Sequence, residues 1–211
     1  GGRGERLGGI AKGLLKTRGA DGLEITLLER ALGEARAVLP AAEVVLVGHH
    51  ESYAGLGYRV LVDSPAGIGP LGGLHALLLE APRLGRSHVL ALACDLPFIR
   101  RELLQRLASE QPQASVLVAT TEGVRNPLVA RYAAATALAA IQSALASPRR
   151  SLQSALDHLD DVQLLALSES EEATLRDWDT PADMQKSRGR SEVTGPGWSS
   201  HQGRHGPRFR K

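Results

Sequence analysis

The sequence predicts an α/β fold of three layers, in which helices cover both faces of a mostly parallel sheet. Short apolar runs alternate along the chain with longer segments whose apolar residues recur at helical spacing. Two of the runs, within 43–48 and 87–94, are apolar over several consecutive residues, which is typical of strands buried on both faces. Ligands in such folds bind beyond the carboxyl ends of the strands, so functional residues are expected there.

Length and composition indicate one globular domain followed by a tail. The 211 residues are 43% hydrophobic and 23% charged but only 3% aromatic, so the core must be aliphatic. The net charge of +2 is too small to indicate a nucleic-acid surface over the whole protein. The single cysteine, Cys94, excludes an intramolecular disulfide and fits a reducing compartment. The sequence contains no run of about 18 apolar residues that would predict a membrane span. We expect a cytoplasmic monomer without membrane or nucleic-acid partners.

The individual elements follow from the spacing of apolar residues. Apolar residues at helical spacing between Leu23 and Val38 predict an amphipathic helix that ends before Pro40. Further helices are predicted over 74–80, 101–109, 133–146 and 152–159, with a last short helix at Pro181. Strands are predicted over 43–48, 58–62, 87–94, 114–120, 128–132 and 162–167, with an extended piece over 13–19. The domain is expected to span 1–184, and 185–211 to form a basic Gly/Ser/Arg-rich disordered tail.

The opening of the chain, residues 1–13, interleaves glycines with Arg3, Arg6 and Lys12. Successive backbone N–H groups can turn inward where no Cβ is in the way, and such nests bind anions. The basic side chains add positive charge around the same concavity. The segment has neither the spacing of a P-loop nor that of the Gly-x-Gly-x-x-Gly dinucleotide fingerprint. It is interpreted as a phosphate-binding loop, and the alternative is an ordinary glycine-rich terminus.

Asp95 is the strongest single candidate for a catalytic residue. It follows an apolar strand, so it lies where burial ends and the crevice at the strand ends begins. Pro97 then fixes the chain direction. A carboxylate that faces a phosphate loop is the usual means of holding Mg²⁺ against nucleotide phosphates. The alternative is a turn residue or a cap of the helix near Arg101.

Asp63 ends a predicted strand shortly before a second glycine-rich loop at 67–73. It could hydrogen-bond a nucleobase edge or a ribose hydroxyl, or only set the turn with Ser64. Late in the chain, Asp177 and Asp179 alternate, so both carboxylates face one side of an extended backbone. One interpretation gives this pair a metal or ribose contact, and the other makes Asp179 a helix cap.

Four further residues carry reactive groups without a clear assignment. His49 and His50 follow a predicted strand, but no Cys or Glu cluster with ligand spacing supports a zinc site. His75 lies on the helix after the second glycine-rich loop. Cys94 ends an apolar strand and is interpreted as a small buried hydrophobic residue rather than a nucleophile.

These motifs resemble the nucleotidyltransferases with a Rossmann-like sheet, and most closely the molybdenum-cofactor guanylyltransferases. Residues 1–12 resemble the opening Leu-Ala-Gly-Gly-x-x-x-Arg-Met-Gly-x-Asp-Lys of that family. The later motifs that look like those of the family are Gly69-Pro70-Leu71-Gly72-Gly73, Cys94-Asp95-Leu96-Pro97-Phe98, Asn126-Pro127-Leu128-Val129-Ala130 and Asp177-Trp178-Asp179-Thr180-Pro181. The resemblance extends in order from Gly1 to about Met184.

The resemblance implies an enzyme that transfers GMP from GTP to a molybdopterin-type cofactor and releases pyrophosphate, with Mg²⁺ as cofactor. The catalytic residues that it implies are Arg6, Lys12 and Asp95. The nucleotide-binding residues that it implies are Gly1, Gly2, Arg3, Lys12, Asp63, Gly69, Pro70, Gly73 and Asp95. Asp95 and Asp179 are the implied metal ligands. GTP and molybdopterin are the expected substrates, and molybdoenzyme-maturation proteins are expected as further partners.

The chain departs from the family pattern at two positions and at its start. Ala11 stands where the family usually has an acidic residue, and Val47 where a polar residue is expected. The chain also begins inside the first motif, so the first strand of the sheet is expected to be missing from it. The alternatives are a cytidylyltransferase of the same cofactor, a sugar-phosphate nucleotidyltransferase, and a non-catalytic nucleotide-binding homologue.

Overall fold

The structure is a computed structural model that describes residues 11–19, 22–48 and 51–176. Within these ranges, no helix combines the length and the apolar character needed to cross a bilayer. The domain boundary expected near residue 184, the tail at 185–211 and the last helix at Pro181 lie outside the described residues.

The described chain begins with a hairpin that leads into a helix. A 3₁₀ turn covers Lys12–Leu14, β1 covers Lys16–Arg18, β2 covers Glu24–Thr26 and α1 covers Leu27–Val38, with β1 and β2 antiparallel. The prediction of a helix from Leu23 is wrong over its first residues, because Thr26 caps α1. Its hydroxyl accepts from the Glu29 backbone, while the Glu29 carboxylate accepts from the Thr26 backbone. This capping box stops the helix from extending backward.

A parallel pair of strands precedes the second helix. β3 covers Val45–Val47, a 3₁₀ helix covers Glu51–Leu56, β4 covers Arg59–Leu61 and α2 covers Pro70–Arg83. Both strand predictions are confirmed in position. α2 begins before the predicted start at Leu74, because Gly69 leaves the preceding loop at φ +70° and Pro70 takes the first helical turn. Proline fits there because its missing N–H would have no helical partner.

The remaining strands form one four-stranded sheet in the order β5-β7-β6-β8. β5 covers His88–Leu92, β6 Val116–Thr121, β7 Val124–Ala133 and β8 Val162–Ala166. β6 pairs parallel with β8, and β7 runs antiparallel to both β5 and β6. A two-residue turn joins β6 to β7, with φ 51° at Glu122 and 77° at Gly123, which is the conformation of tight hairpin turns. The sheet is therefore mixed, with β7 running against the other three strands.

Helices α3, α4, α5 and α6 connect and follow these strands. They cover Arg101–Ser109, Ala134–Ala146, Leu152–Leu156 and Glu169–Glu172, and a 3₁₀ turn covers Ala173–Leu175. The predicted bounds of α3 are confirmed, and those of α4 are confirmed to within one residue. α6 was not predicted, because its four residues are too few to show helical periodicity.

Two separate apolar cores confirm the three-layer prediction. Along β6, Val116 and Val118 face one core while Leu117 and Ala119 face the other, as the alternation of a strand requires. The first, the α2/α4 core, packs α2, α4 and α5 on one face of the sheet. The second, the α1/α3 core, packs α1 and α3 on the opposite face.

Candidate active site

Lys12 and Asp95 meet in an ion pair although they lie far apart in sequence. Lys12 opens the first 3₁₀ turn, and Asp95 follows the end of β5. The Lys12 Nζ lies 3.2 Å from the Asp95 Oδ2, and the two side chains are 26% and 23% exposed. A pair this open to solvent can be reached by an anionic ligand on the lysine side and by a cation on the carboxylate side.

The residues next to this pair are packed tightly. Gly13, which follows Lys12, is buried, and a Cβ built there would lie 3.3 Å from the Cys94 Sγ. Cys94 precedes Asp95, and burial raises the pKa of its thiol. The thiol is therefore protonated near neutral pH, which agrees with its interpretation as a packing residue.

Asp63 and Gly73 form a second contact at the carboxyl end of β4. The Asp63 Oδ1 would lie 3.2 Å from a Cβ at Gly73, and the Val47 Cγ1 would lie 3.1 Å from it. This oxygen is buried, and the described residues offer it no hydrogen-bond donor. A buried carboxylate oxygen without a hydrogen-bond donor is energetically unfavourable. A polar ligand could supply that donor.

The start of α2 holds the chain that leaves β4. The Ser64 backbone N–H donates to the Gly72 carbonyl at 3.0 Å, and a Cβ at Gly72 would collide with the Pro65 carbonyl oxygen. One turn further, the His75 Nδ1 lies 2.6 Å from the Ser64 carbonyl oxygen. A ring nitrogen this close to a carbonyl must carry the proton and donate it. His75 therefore anchors the loop, a role that the sequence did not indicate.

The predicted site residues fall into three sets. Lys12 with Asp95 and Asp63 with Gly73 are brought into contact, and Gly69 and Pro70 stand at the start of α2. α2 packs against β3, β4 and β5 alike. The residues whose positions lie outside the described ranges are Gly1, Gly2, Arg3, Arg6, His49, His50, Asp177 and Asp179.

Sequence reasoning missed Gly13 and Tyr53. A Cβ at Gly13 would lie 2.9 Å from the Tyr53 hydroxyl oxygen. Gly13 looked like one more glycine of a glycine-rich opening, and Tyr53 lies in a segment without helical or strand periodicity. Only the tertiary contact singles them out.

This fold, with polar residues beyond the ends of its strands, is that of the Rossmann-like nucleotidyltransferases. The solved structure of molybdopterin-guanine dinucleotide biosynthesis protein A from Archaeoglobus fulgidus superimposes with a TM-score of 0.69. The match covers 92% of this chain and 96% of that one at 22% sequence identity, which establishes the shared fold.

Sequence comparison places the chain more narrowly. Residues 1–162 match the MobA-like NTP transferase domain, and the chain belongs to that family. It is 34% identical to a molybdenum cofactor guanylyltransferase of Acidiphilium cryptum over 138 residues, 65% of either chain. It is 32% identical to a probable molybdenum cofactor guanylyltransferase of Pelotomaculum thermopropionicum over 193 residues, 89% of this chain and 88% of that one.

Proposed function

We propose that the protein transfers GMP from GTP to a molybdopterin-type cofactor and releases pyrophosphate. Membership of the MobA-like NTP transferase family carries this proposal, together with relatives at 32–34% identity that are named molybdenum cofactor guanylyltransferases. The Lys12–Asp95 pair supplies the two charges that such a transfer requires, one for the phosphates and one for a metal ion.

Asp95 is the proposed ligand of Mg²⁺. In the described part of the chain, no three His, Cys, Asp or Glu side chains lie close enough to hold a metal by themselves. A single, partly exposed carboxylate nevertheless fits Mg²⁺, because this ion is usually bound by one or two carboxylates together with substrate phosphates and water. When bound, Mg²⁺ would neutralise charge on the triphosphate. Asp179 is proposed as a second ligand on the resemblance alone.

Lys12 is the proposed contact of the phosphate groups. Its ammonium group is held at 3.2 Å from Asp95 and is 26% exposed, so it can turn toward a triphosphate without leaving the carboxylate. On the resemblance, the backbone of Gly1 and Gly2 and the side chains of Arg3 and Arg6 complete the phosphate contacts.

Asp63 is the proposed contact of the nucleoside, together with Gly69, Pro70 and Gly73. Its buried Oδ1 lacks a donor among the described residues, and the base edge and the ribose of a nucleotide both carry N–H or O–H donors. Gly73 lets α2 pack closely against this carboxylate, since a Cβ there would lie 3.2 Å from the Asp63 Oδ1 and 3.1 Å from the Val47 Cγ1.

The reaction needs positioning more than acid–base chemistry. The terminal phosphate of the acceptor is already an anion, so its oxygen can attack the α-phosphorus without first losing a proton. The bond from the α-phosphorus to the oxygen that bridges to the β-phosphorus then breaks, and pyrophosphate leaves. The protein's contribution is to neutralise charge and to align the two phosphates, which Lys12 and the glycine-lined loops can do.

A nucleotide panel tests this function. The purified chain is incubated with Mg²⁺, molybdopterin and each of GTP, CTP and ATP, and pyrophosphate release is measured. GTP-selective release supports the proposal. Release from CTP alone would assign a cytidylyltransferase, and nucleotide binding without any release would assign a non-catalytic homologue.

The site assignment is tested by Asp95→Asn, with Asp157→Asn as the matched control. Asp157 is 64% exposed and pairs with Arg125 at 2.7 Å, and no part in the reaction is proposed for it. Asp95→Asn should lower kcat by about 10²-fold or more, since it removes a charge that acts on the transferred phosphate, while both variants keep the thermal midpoint of the parent. Near-normal turnover by Asp95→Asn would disprove the metal assignment.

Cytoplasmic location, a monomeric state, contacts with molybdoenzyme-maturation proteins and a domain boundary near residue 184 are also part of this proposal. They follow from the sequence and from the family resemblance, and size-exclusion chromatography of the purified chain checks the monomeric state.

A further inference from the structure

Tyr53 connects the two segments that carry the Lys12–Asp95 pair. It lies on the 3₁₀ helix Glu51–Leu56, far in sequence from both. A Cβ built at Gly13 would lie 2.9 Å from the Tyr53 hydroxyl oxygen and 3.3 Å from the Cys94 Sγ. The hydroxyl, the glycine and the thiol therefore meet at one place. Gly13 is the chain neighbour of Lys12, and Cys94 is the chain neighbour of Asp95.

The Tyr53 hydroxyl is a neutral hydrogen-bonding group. Burial is the main cause that raises the pKa of Tyr53 to about 12, and the Gly13 backbone and the Cys94 thiol are its hydrogen-bonding neighbours. A protonated phenol both donates and accepts, so one oxygen can bond to both segments at the same time.

The Lys12–Leu14 turn depends on such external support. It is a 3₁₀ turn of three residues, and its N-cap residue is Ala11, whose methyl group cannot accept a capping hydrogen bond. An isolated turn of this length has little stability of its own. The lysine side chain beyond it is long and flexible, so the placement of its ammonium group depends on where the backbone is held.

We propose that Tyr53 is a positioning residue of the transferase site: its hydroxyl ties the Lys12–Leu14 turn to the segment after β5 and so fixes Lys12 relative to Asp95. This inference rests on the proposed function of that pair. The absence of a Cβ at Gly13 allows the close approach, because a methyl group there would press against the hydroxyl oxygen. Displacing a charged group by about 1 Å is enough to cost on the order of 10²-fold in rate.

The test is Tyr53→Phe, which removes only the hydroxyl, with Tyr58→Phe as the matched control. Tyr58 lies under the guanidinium of Arg36, whose Cζ is 5.3 Å from the ring centroid, and phenylalanine keeps that ring. Binding of GTP in the presence of Mg²⁺ and without acceptor is measured by titration calorimetry. Tyr53→Phe should weaken binding by about tenfold, whereas Tyr58→Phe should leave it unchanged.

A double-mutant cycle with Lys12→Met shows whether Tyr53 acts through the lysine. In the Lys12→Met background, Tyr53→Phe should weaken GTP binding by less than about twofold, because the group that it positions is gone. An equal loss in both backgrounds would show that Tyr53 acts independently of Lys12 and would overturn the proposal. Wild-type affinity in Tyr53→Phe, with weak binding in Lys12→Met, would overturn the proposal but leave the site itself intact.

A second variant approaches the same contact from the other side. Gly13→Ala keeps the hydroxyl but pushes it away, so it should weaken GTP binding in the same direction as Tyr53→Phe. Wild-type affinity in Gly13→Ala would overturn the proposal. If Lys12→Met itself binds GTP normally, the proposed function of the ion pair fails, and the role of Tyr53 fails with it.

Discussion

Arg131 shows how a single buried charge can be stabilised by carbonyl oxygens, with no carboxylate partner among the residues that the structure describes. It lies on β7, is 6% exposed, and its guanidinium donates to the carbonyl oxygens of Leu107, Ala108, Glu110 and Gln111. These carbonyls belong to the C-terminal end of α3, where helical carbonyls lack partners and carry partial negative charge. Burial lowers the pKa of Arg131, yet a guanidinium titrates so far above neutral that it keeps its proton.

Replacing Arg131 by methionine should therefore destabilise the fold by about 3 kcal/mol, because several buried carbonyls lose their donor. Urea denaturation followed by circular dichroism measures the loss. The stability of Arg131→Lys should lie between that of the parent and that of Arg131→Met, since lysine keeps the charge but not the fork of donors. Arg149→Met, at an exposed position, serves as the control and should change stability by less than about 0.5 kcal/mol. A fully stable Arg131→Met variant would show that the carbonyls are satisfied in another way.

At the scale of the element, the first turns of α2 fix the position of the loop that follows β4. Ser64 bonds to Gly72 and His75, and the Pro65 carbonyl packs directly on Gly72. The helix therefore both covers the sheet and aligns the loop that carries Asp63. In the second glycine-rich loop, Gly72 and Gly73 allow this close packing, whereas Gly67 and Gly69 adopt positive φ and have nothing within 4 Å of a built Cβ.

Gly72→Ala and Gly33→Ala should change stability in opposite directions, although each adds one methyl group to a helix. A methyl group at Gly72 collides with the Pro65 carbonyl oxygen, so this variant should lose about 1–3 kcal/mol. Gly33 lies on the exposed side of α1 with open space around it, so alanine there should add about 0.5–1 kcal/mol. Urea midpoints of the two variants decide the matter. A stabilising Gly72→Ala would mean that the loop can move away at no cost.

At the scale of the whole molecule, one four-stranded sheet separates two cores. Each strand contributes side chains to both cores in alternation, so neither core can lose its packing while the sheet remains unaffected. The architecture therefore predicts a single cooperative unfolding unit.

Leu78→Ala in the α2/α4 core and Leu103→Ala in the α1/α3 core test this coupling. Both leucines are almost completely buried, and each truncation should cost about 2–5 kcal/mol. Both variants should still unfold in one transition with the parent's denaturant dependence. Leu164→Ala, at a side chain that is 59% exposed, is the control. Two separate transitions in either core variant would show that the layers unfold independently.

The types and the order of most elements could be predicted from the sequence. Local periodicity distinguishes strands from helices, and proline and glycine mark many of the ends, as at Pro40 and Pro148. The three-layer arrangement followed because elements of this kind must bury apolar surface on both sides of the sheet. The polar residues Asp63 and Asp95 could be identified because each follows a predicted strand, and ligands in such folds bind beyond the carboxyl ends of the strands.

The directions of the strands and the contacts between distant site residues were decided only by the tertiary structure. No local pattern fixes β7 as antiparallel between β5 and β6, because a strand has the same periodicity in either direction. The same holds for the site, where Lys12 reaches Asp95 across 83 positions of the chain, and Tyr53 reaches Gly13 and Cys94. By itself, the sequence determined which residues could carry the chemistry. Packing of the whole chain determined which of them meet, because long-range contacts depend on the arrangement of every element between them.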